Sequence, residues 1–480
     1  MPGGAVLAMA DPRWPFEGLA LPWVILFTAC LVVVAGMFCW TLLLFVRGHG
    51  AIVHPPEAPA EGADAFTWVF LVPAMNEEVV IADSVERLVA LPVARKRIVV
   101  IDDASDDRTP QILAGIDHPD LFVLRRDKPD AQKGKAAGLN YAYRALRDYE
   151  DRERTIVVII DADGRLDAEA PYFASSHFAD PVVGGVQALV RMYNRQSPLV
   201  WLQDVEFGVY GHLFQAGRNH WGTAGMGGNG QFNRLSALDD VTGEEGPWRD
   251  KLTEDQDLGL RLISAGWEGR QDLRAIVEQQ GLSKTRPLFR QRTRWSQGNL
   301  QAVGLWREVM GTKSLGFGPR VEQMAYLFMP FWQGIIGLGL AGAVLLAILG
   351  IAPFWGAGPT YQLIFFYLLA FGGTSLGVIA SRAEEGPIGW VVGFLIGQVY
   401  TLYTWFLWPV LVRSTARQLS GHGSWAKTER EAITDGPDLA GVQGEAGTTA
   451  ASAGLDGGAA PLGAAAQPPV ARQTQSIARG

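Results

Sequence analysis

Four groups of acidic, basic and polar residues share one segment of this chain, and apolar stretches lie on both sides of it. The groups are Asp102-Asp103, Asp161-Ala162-Asp163, Thr253-Glu254-Asp255 and Gln291-Arg292-Thr293-Arg294-Trp295. Several carboxylates in one site need a cation to hold them together, and a divalent metal ion that carries a diphosphate meets this need. We therefore predict a site for a diphosphate-bearing ligand beside a membrane.

Composition supports a membrane protein and excludes several other classes. The chain has 480 residues, of which 48% are hydrophobic, and its mean hydropathy of +0.10 is high for a wholly soluble protein. The net charge of −8 and the absence of a basic stripe disfavour nucleic acid as a partner. Cys30 and Cys39, the only cysteines, both lie in the first apolar run, which excludes a zinc cluster and a disulfide framework.

The first apolar run, residues 21–46, carries no charge and is long enough to cross roughly 30 Å of hydrocarbon. A cleaved signal peptide is the alternative, but the run is long and ends at Arg47 instead of a small-residue cleavage site. We predict a transmembrane helix at residues 21–47, preceded by an N-terminal segment, residues 1–20.

Three later apolar runs, at about residues 324–349, 361–380 and 388–412, predict interfacial and transmembrane helices over residues 311–412. Their number of crossings stays open. Three crossings would separate a basic segment, residues 413–434, from the cytosolic side, against the positive-inside rule. We predict an integral protein of the cell (inner) membrane, with the acidic groups and the basic segment in the cytosol.

Two stretches have the composition of unfolded chain. Residues 48–65 are rich in Pro and Ala and predict a linker, and residues 435–480 contain few large apolar side chains and predict a disordered tail. The remaining stretch, residues 66–310, is the predicted catalytic domain.

Within that domain, Val- and Ile-rich runs at residues 67–72, 97–101 and 155–160 predict strands buried on both faces. The segment between the first two predicts a helix that Asn76 caps, with Glu77 and Glu78 in its first turn. Helices that alternate with buried strands indicate an α/β fold with a parallel sheet, whose carboxyl ends would bring Asn76, the Asp-Asp pair and the Asp-x-Asp pair to one rim.

Each group has a structural explanation when it is considered alone. Asp-Asp and Asp-x-Asp after a strand are common in turns and helix caps. Thr253-Glu254-Asp255 precedes an apolar-periodic stretch that ends near Gly266, as an N-capped helix would. If residues 291–295 are helical, Gln291, Arg294 and Trp295 share a face that fits a diphosphate and a ring, or simply an amphipathic face over a membrane.

Taken together and in this order, these groups and Pro73-Ala74-Met75-Asn76-Glu77 resemble the membrane-embedded family 2 glycosyltransferases, such as the cellulose, hyaluronan and chitin synthases. The resemblance implies a GT-A (Rossmann-like) catalytic domain with flanking transmembrane helices. It implies transfer of a sugar, with inversion, from a UDP- or GDP-linked donor to a glycan (polysaccharide) acceptor. The alternatives are transfer to a lipid-linked acceptor and a non-catalytic nucleotide- or glycan-binding membrane receptor.

The resemblance also implies a role for each site residue. Asp255 would be the general base, and Asp161 and Asp163 would hold Mg²⁺ or Mn²⁺. The donor-binding residues would be Pro73, Asn76, Glu77, Asp102, Asp103, Lys133, Lys135, Asp161, Asp163, Gln291, Arg294 and Trp295. The acceptor-binding residues would be Gly228, Asn229, Gly230, Gln231, Glu254 and Trp295.

The sequence departs from the family pattern at two places. Met75 stands where many relatives have an aromatic residue, and residues 227–231 differ from the Phe-Phe-Cys-Gly type of cellulose synthases. These departures disfavour cellulose as the product and leave the donor sugar open.

Overall fold

The computed structural model describes residues 19–53, 55–149, 151–351 and 360–421, so the predicted disordered tail and most of the N-terminal segment lie outside the described residues. The first half contains α1 (Leu21–Val53), β1 (Thr67–Ala74), α2 (Ile81–Val89), β2 (Lys96–Asp103), α3 (Thr109–Ala114), β3 (Leu121–Arg126), α4 (Lys135–Arg144), β4 (Thr155–Ile159), β5 (Arg165–Leu166), α5 (Ala170–Phe178), β6 (Val183–Met192), α6 (Pro198–Val209), α7 (Ala216–Asn219), β7 (Gln231–Arg234) and α8 (Leu235–Asp240).

The second half contains α9 (Glu254–Ala265), β8 (Glu268–Gln279), α10 (Thr285–Ala302), α11 (Trp306–Gly311), α12 (Phe317–Leu327), α13 (Met329–Ile348), α14 (Thr360–Ala380), α15 (Gly386–Phe406) and α16 (Trp408–Leu419). A π-helical turn, Tyr210–Gln215, joins α6 to α7.

The described strands form one eight-stranded mixed sheet in the order β3-β2-β1-β4-β7-β6-β8-β5. Strands β3, β2, β1 and β4 are parallel, β7 is antiparallel to both β4 and β6, β6 and β8 are parallel, and β5 is antiparallel to β8. The three strands predicted from sequence correspond to β1, β2 and β4. The α/β prediction is confirmed, and the parallel half places the ends of β1, β2 and β4 at one rim.

Both faces of the sheet are covered, because successive strand residues point to opposite sides. On one face, Trp68 and Phe70 of β1 pack with Ile81 of α2 and Phe178 of α5. The other face carries the helix that begins at Glu254. Its residues Leu258 and Leu262 pack with Val69, Leu71, Leu139 and Leu238. This packing fixes the start of α9 beside the rim.

The predicted Asn76 helix cap is wrong. Helix α2 begins at Ile81 without a side-chain cap, and Asn76 lies in a bend at φ 56°. Its amide Nδ2 donates to Asp106 Oδ1 over 2.6 Å, and the Asp106 amide nitrogen donates to Asn76 Oδ1 over 2.9 Å. The Asn76 side chain therefore bonds to the turn after β2 and does not cap α2.

Among the described residues, three helical stretches are long and apolar enough to cross a membrane: Leu21–His49, Met329–Ile348 and Gly386–Leu419. The predicted run at 361–380 supplies a shorter apolar stretch, Tyr367–Ala380. Helix α1 continues to Val53, so the first part of the predicted linker is helical. The last stretch changes from α15 to α16 beside Pro409, and the Ser414 hydroxyl of α16 lies 2.7 Å from the Ser296 hydroxyl of α10.

Helix α1 meets the catalytic domain at a glycine contact. A methyl group on Gly217 would lie 2.7 Å from the Leu44 carbonyl oxygen and 2.8 Å from Leu44 Cβ, whereas one on Gly36 of α1 would meet nothing within 4 Å. We expect Gly217→Ala to cost about 1–3 kcal/mol of stability by overpacking this contact. Thermal unfolding in detergent measures the loss, and Gly36→Ala is the matched control. Equal melting temperatures for both variants would contradict the contact.

Candidate active site

The end of β2 carries two aspartates that are each held by an arginine from β3. Asp102 is 1% exposed and accepts hydrogen bonds from the Ser105 amide (3.0 Å) and from Arg125 Nη1 (2.5 Å). Asp103 accepts from Arg126 Nη1 over 2.8 Å. Burial raises the pKa of Asp103 despite the neighbouring Arg126. Asp103 is thus a partly desolvated hydrogen-bonding carboxyl group at the rim.

The end of β1 lies beside this pair. Pro73 is in register with Ile101 of β2. Beyond the strand, the Asn76 amide nitrogen donates to Ser105 Oγ over 2.9 Å, and the Glu77 amide nitrogen donates to Thr109 Oγ1 over 2.8 Å. The predicted nucleoside-binding residues of β1 and β2 therefore form one connected edge.

Asp161 and Asp163 follow β4 and have different partners. The Asp161 amide nitrogen donates to Asn229 Oδ1 (3.1 Å), and Asp161 Oδ1 accepts from Lys135 Nζ (2.7 Å). Asp163 is 3% exposed, and its Oδ2 accepts from the Gln280 amide over 3.1 Å. Asp161 therefore faces the centre of the site, while Asp163 also anchors the chain after β8.

Lys135, at the start of α4, lies at the centre of the site. Besides Asp161, its Nζ donates to the Gly228 carbonyl oxygen (2.6 Å) and lies 3.9 Å from Glu254 Oε1. Burial alone would lower the pKa of Lys135, but Asp161 and Glu254 outweigh it and hold the pKa above its usual value. Lys133, two residues earlier, is instead exposed and pairs with Asp130 over 3.0 Å.

Glu254 and Asp255 occupy the first turn of α9, as predicted, and Gly266 ends the helix at φ 106°. Thr253 stands at the cap position but makes no side-chain cap hydrogen bond. Burial, supported by Asp255, raises the pKa of Glu254 to about 7, although Lys135 opposes it. Burial also raises the pKa of Asp255 against Lys135 and the helix-end amides. Desolvation is therefore the dominant influence on the pKa of both carboxyl groups.

The segment before β7 touches the acidic pair at one residue and is built into the sheet at the others. A methyl group on Gly228 would lie 3.2 Å from both Asp255 Oδ2 and Lys135 Nζ. Asn229 Nδ2 donates to Gln279 Oε1 (3.1 Å), and Gly230 has φ 69°. Gln231 is 1% exposed within β7. Of these four predicted acceptor residues, Gly228 is the one that the described contacts place against Asp255.

Helix α10 confirms that residues 291–295 are helical. Arg294 lies within electrostatic reach of Glu254 and lowers its pKa, and the Trp295 ring meets Phe207 edge to face at 6.1 Å. Gln291 Oε1 accepts from Arg292 Nη1 over 2.7 Å. The helix therefore brings the Arg294 guanidinium to the side of the site that holds Glu254, whereas the Trp295 ring packs against Phe207 of α6.

Residues 67–298 match the family model described as "Glycosyltransferase like family 2". These residues form a family 2 glycosyltransferase domain. Similarity extends to solved structures: a mannosyltransferase from Pyrobaculum calidifontis, in complex with GDP-Man and Mn²⁺, is 20% identical with a TM-score of 0.52, over 82% of this chain and 99% of that one. This likeness confirms the GT-A fold.

Curated relatives of the glycosyltransferase domain differ in the product that they are named for. A β-monoglucosyldiacylglycerol synthase of Synechocystis sp. is 30% identical over 269 residues, 54% of this chain and 53% of the relative. A poly-β-1,6-N-acetyl-D-glucosamine synthase of Staphylococcus aureus is 28% identical over 240 residues, 49% of this chain and 55% of the relative. The chain thus spans about half the length of the curated relatives it matches.

One residue of the glycosyltransferase domain that sequence reasoning missed is Arg292. It is 6% exposed, its guanidinium lies 4.2 Å from the centre of the Trp295 ring, and its Nη2 donates to Glu206 Oε2 over 2.8 Å. The Tyr403 hydroxyl of α15 donates to the same Glu206 oxygen over 3.0 Å. The Arg292 guanidinium therefore packs over the Trp295 ring. In the sequence, Arg292 lies off the predicted ligand face, and an arginine in that position predicts only a solvent-exposed charge.

Proposed function

We propose that this protein is a membrane-bound inverting glycosyltransferase that moves a sugar from a nucleotide-sugar donor, UDP- or GDP-linked, to an acceptor hydroxyl. The observation that carries the proposal is the position of Asp255. Its half-buried carboxyl group, with a raised pKa, adjoins Gly228 and the ammonium of Lys135, which in turn contacts Asp161. A base and a cation for the leaving group thus flank one space.

In the proposed reaction, the acceptor oxygen attacks the anomeric carbon while Asp255 takes the hydroxyl proton, and the bond from the anomeric carbon to the diphosphate breaks. The electron pair leaves with the diphosphate, where negative charge develops. Lys135 and Arg294 supply positive charge to stabilise it. Burial suits both tasks, since a raised pKa makes Asp255 a stronger base and low polarity strengthens each charge interaction.

A divalent metal ion fits this donor set as a partner of the diphosphate. Within the ranges that the structure describes, no three His, Cys, Asp or Glu side chains form a complete metal site. Mg²⁺ and Mn²⁺ accept this arrangement, because such ions take one or two protein carboxylates and fill the remaining positions with phosphate oxygens and water. Asp161 and Asp163 would hold the ion, which would neutralise charge on the diphosphate.

For the acceptor we propose a glycan, with a lipid-borne hydroxyl as a second candidate. The second is favoured by the position of α10 on the membrane helices. Phe289 of α10 meets Phe406 of α15 edge to face at 5.1 Å, and Ser296 contacts Ser414 of α16. Trp295 therefore lies near the ends of apolar helices, where a hydroxyl on a membrane lipid would arrive.

We also propose that the domain faces the cytosol from the inner membrane. Cytosolic nucleotide sugars would then reach the rim directly. Protease protection of right-side-out and inverted vesicles tests this orientation: cleavage between β1 and α10 only in inverted vesicles is expected, and cleavage only in right-side-out vesicles would contradict it.

A donor screen tests the function as a whole. Purified full-length protein in detergent is given UDP- and GDP-sugars with Mn²⁺ or Mg²⁺, and with dioleoylglycerol micelles or diacetylchitobiose as acceptor. We expect release of UDP or GDP, loss of release with EDTA and recovery with added metal. Labelled sugar in the organic extract identifies a lipid acceptor, and label in saccharide product identifies a glycan. Nucleotide binding without turnover would favour the receptor alternative instead.

Gly228 offers a sharp test of the space beside the base. We expect Gly228→Ala to lower the transfer rate by about 10- to 100-fold, because its methyl group displaces the Asp255 carboxylate or the Lys135 ammonium. Gly227→Ala is the matched control, since a methyl group there would have its nearest atom, Gln187 Oε1, at an ordinary 3.5 Å. Similar initial transfer rates for Gly228→Ala and Gly227→Ala would show that a methyl group at position 228 does not crowd Asp255.

A further inference from the structure

A largely buried cluster connects the catalytic domain to α12, the helix that leads into the apolar helix α13. It consists of Tyr210, Gln215, Arg218, Glu322 and Tyr326, which we call the α12 clamp. Arg218 is 0% and Glu322 4% exposed, and Arg218 Nε donates to Glu322 Oε1 over 2.8 Å. Burial of an ion pair this completely requires close packing of α7 against α12, because each charge is costly without the other.

The clamp continues from the ion pair toward the base. The Arg218 guanidinium lies 3.7 Å from the centre of the Tyr326 ring, and the Tyr326 hydroxyl lies 3.2 Å from the Tyr210 hydroxyl. Gln215 Nε2 donates to the Tyr210 hydroxyl (3.1 Å) and to the Gly225 carbonyl oxygen (2.9 Å), and the Gly225 amide donates back to Gln215 Oε1 (3.0 Å). The clamp therefore binds the backbone of Gly225, in the segment that contains Gly228.

Tyr210 is a member of the clamp that lies within electrostatic reach of Asp255. It begins the π-helical turn, a type of irregularity that recurs at functional sites. Burial, supported by Tyr326 and by the charge of Asp255, raises the pKa of Tyr210 well above its usual value, so its hydroxyl stays protonated. Because the Tyr210 oxygen accepts from Gln215, and can accept from Tyr326 as well, its own proton can be donated to a hydroxyl beside Asp255.

We infer that Tyr210 is a positioning residue for the acceptor hydroxyl, and that the Arg218–Glu322 ion pair of the α12 clamp sets its place. The inference rests on the proposed glycosyl transfer and adds a role for a helix outside the matched family segment, which ends at residue 298. Sugar transfer then requires α12 to be docked on the catalytic domain, whereas donor binding does not.

The test compares three variants with one control in the full-length protein. Tyr210→Phe and Tyr326→Phe each remove one hydroxyl and keep the ring, and Glu322→Asp keeps the charge but shortens the ion pair. Tyr149→Phe is the control. It removes a buried hydroxyl near Arg97, which lies at the start of β2, opposite the site. Two quantities are measured: kcat/KM for the acceptor that supports transfer, dioleoylglycerol or diacetylchitobiose, and the Kd for UDP or GDP with Mn²⁺.

We expect Tyr210→Phe and Tyr326→Phe to lower acceptor kcat/KM about tenfold, the effect of one hydrogen bond, with the nucleotide Kd unchanged. Glu322→Asp should follow the same pattern, and Tyr149→Phe should change neither quantity. Wild-type acceptor kcat/KM in both tyrosine variants would overturn the inference, as would parallel losses in transfer, nucleotide affinity and melting temperature, which mark a structural role. Absence of turnover by the wild type would overturn the proposed function with it.

Discussion

Replacement of Asp255 by Asn should lower sugar transfer by about a thousandfold, the contribution of a general base. Asn has nearly the same shape, and its amide oxygen can still accept from the Gln256 amide, which donates to Asp255 Oδ1 over 2.9 Å. The fold and the nucleotide site should therefore persist. The measurement is the release of UDP or GDP under saturating donor, with melting temperature and nucleotide Kd recorded beside it.

The adjacent Glu254 is the competing base. Its carboxyl group is also half-buried, has a pKa of about 7 and lies 3.9 Å from Lys135. Asp255 is the carboxylate in contact distance of the Gly228 position, so Glu254→Gln should lower transfer far less than Asp255→Asn. Asp148→Asn, which changes an exposed carboxylate in the same way, is the neutral control. The reverse order of the first two variants would reassign the base to Glu254.

Three of the four strands in the parallel half of the sheet, β1, β2 and β4, were predictable, and the strands of the other half were not, for a physical reason. Strands β1 and β4 are buried on both faces, so nearly every residue in them is apolar. Strands β6 and β7 also lie in the sheet interior but bury Gln187, Gln231 and Asn233. Gln187 Nε2 donates to the Asn229 carbonyl oxygen, and Asn233 Nδ2 donates to the Val157 carbonyl oxygen of β4. Such pairing requires distant segments, and sequence periodicity does not report it.

The candidate site shows the same division. The order of the acidic groups predicted the family and the GT-A fold, which the comparisons confirm. The roles of the individual residues stay predictions. What the sequence did not indicate is where each charge finds its partner: Lys135 joins Asp161, Gly228 and Glu254 from three different elements. Asn76 shows the converse. Its local sequence predicts a helix cap, but its side chain bonds instead to Asp106, thirty residues away.

Lys135→Met should have the second large effect, because it removes the ammonium from the centre of the site. Its loss leaves Asp161, Glu254 and Asp255 without the cation that lowers the pKa of the last two. We expect transfer at its optimal pH to fall by about 100-fold, since the leaving diphosphate loses one charged donor. Lys313→Met, the same change at an exposed lysine between α11 and α12, should have a small effect.

The pH profile separates this electrostatic role from simple loss of packing. Asp255 must be ionised to act, so wild-type transfer should decline as the pH falls through the raised pKa values of the Glu254–Asp255 pair, the first of which is about 7. Removal of a nearby positive charge raises both values further, which moves this acidic limb to higher pH. The profile of kcat against pH measures the displacement for Lys135→Met, Lys313→Met and the wild type. An acidic limb that stays in place in Lys135→Met, or moves to lower pH, would contradict the position of this lysine among the carboxylates.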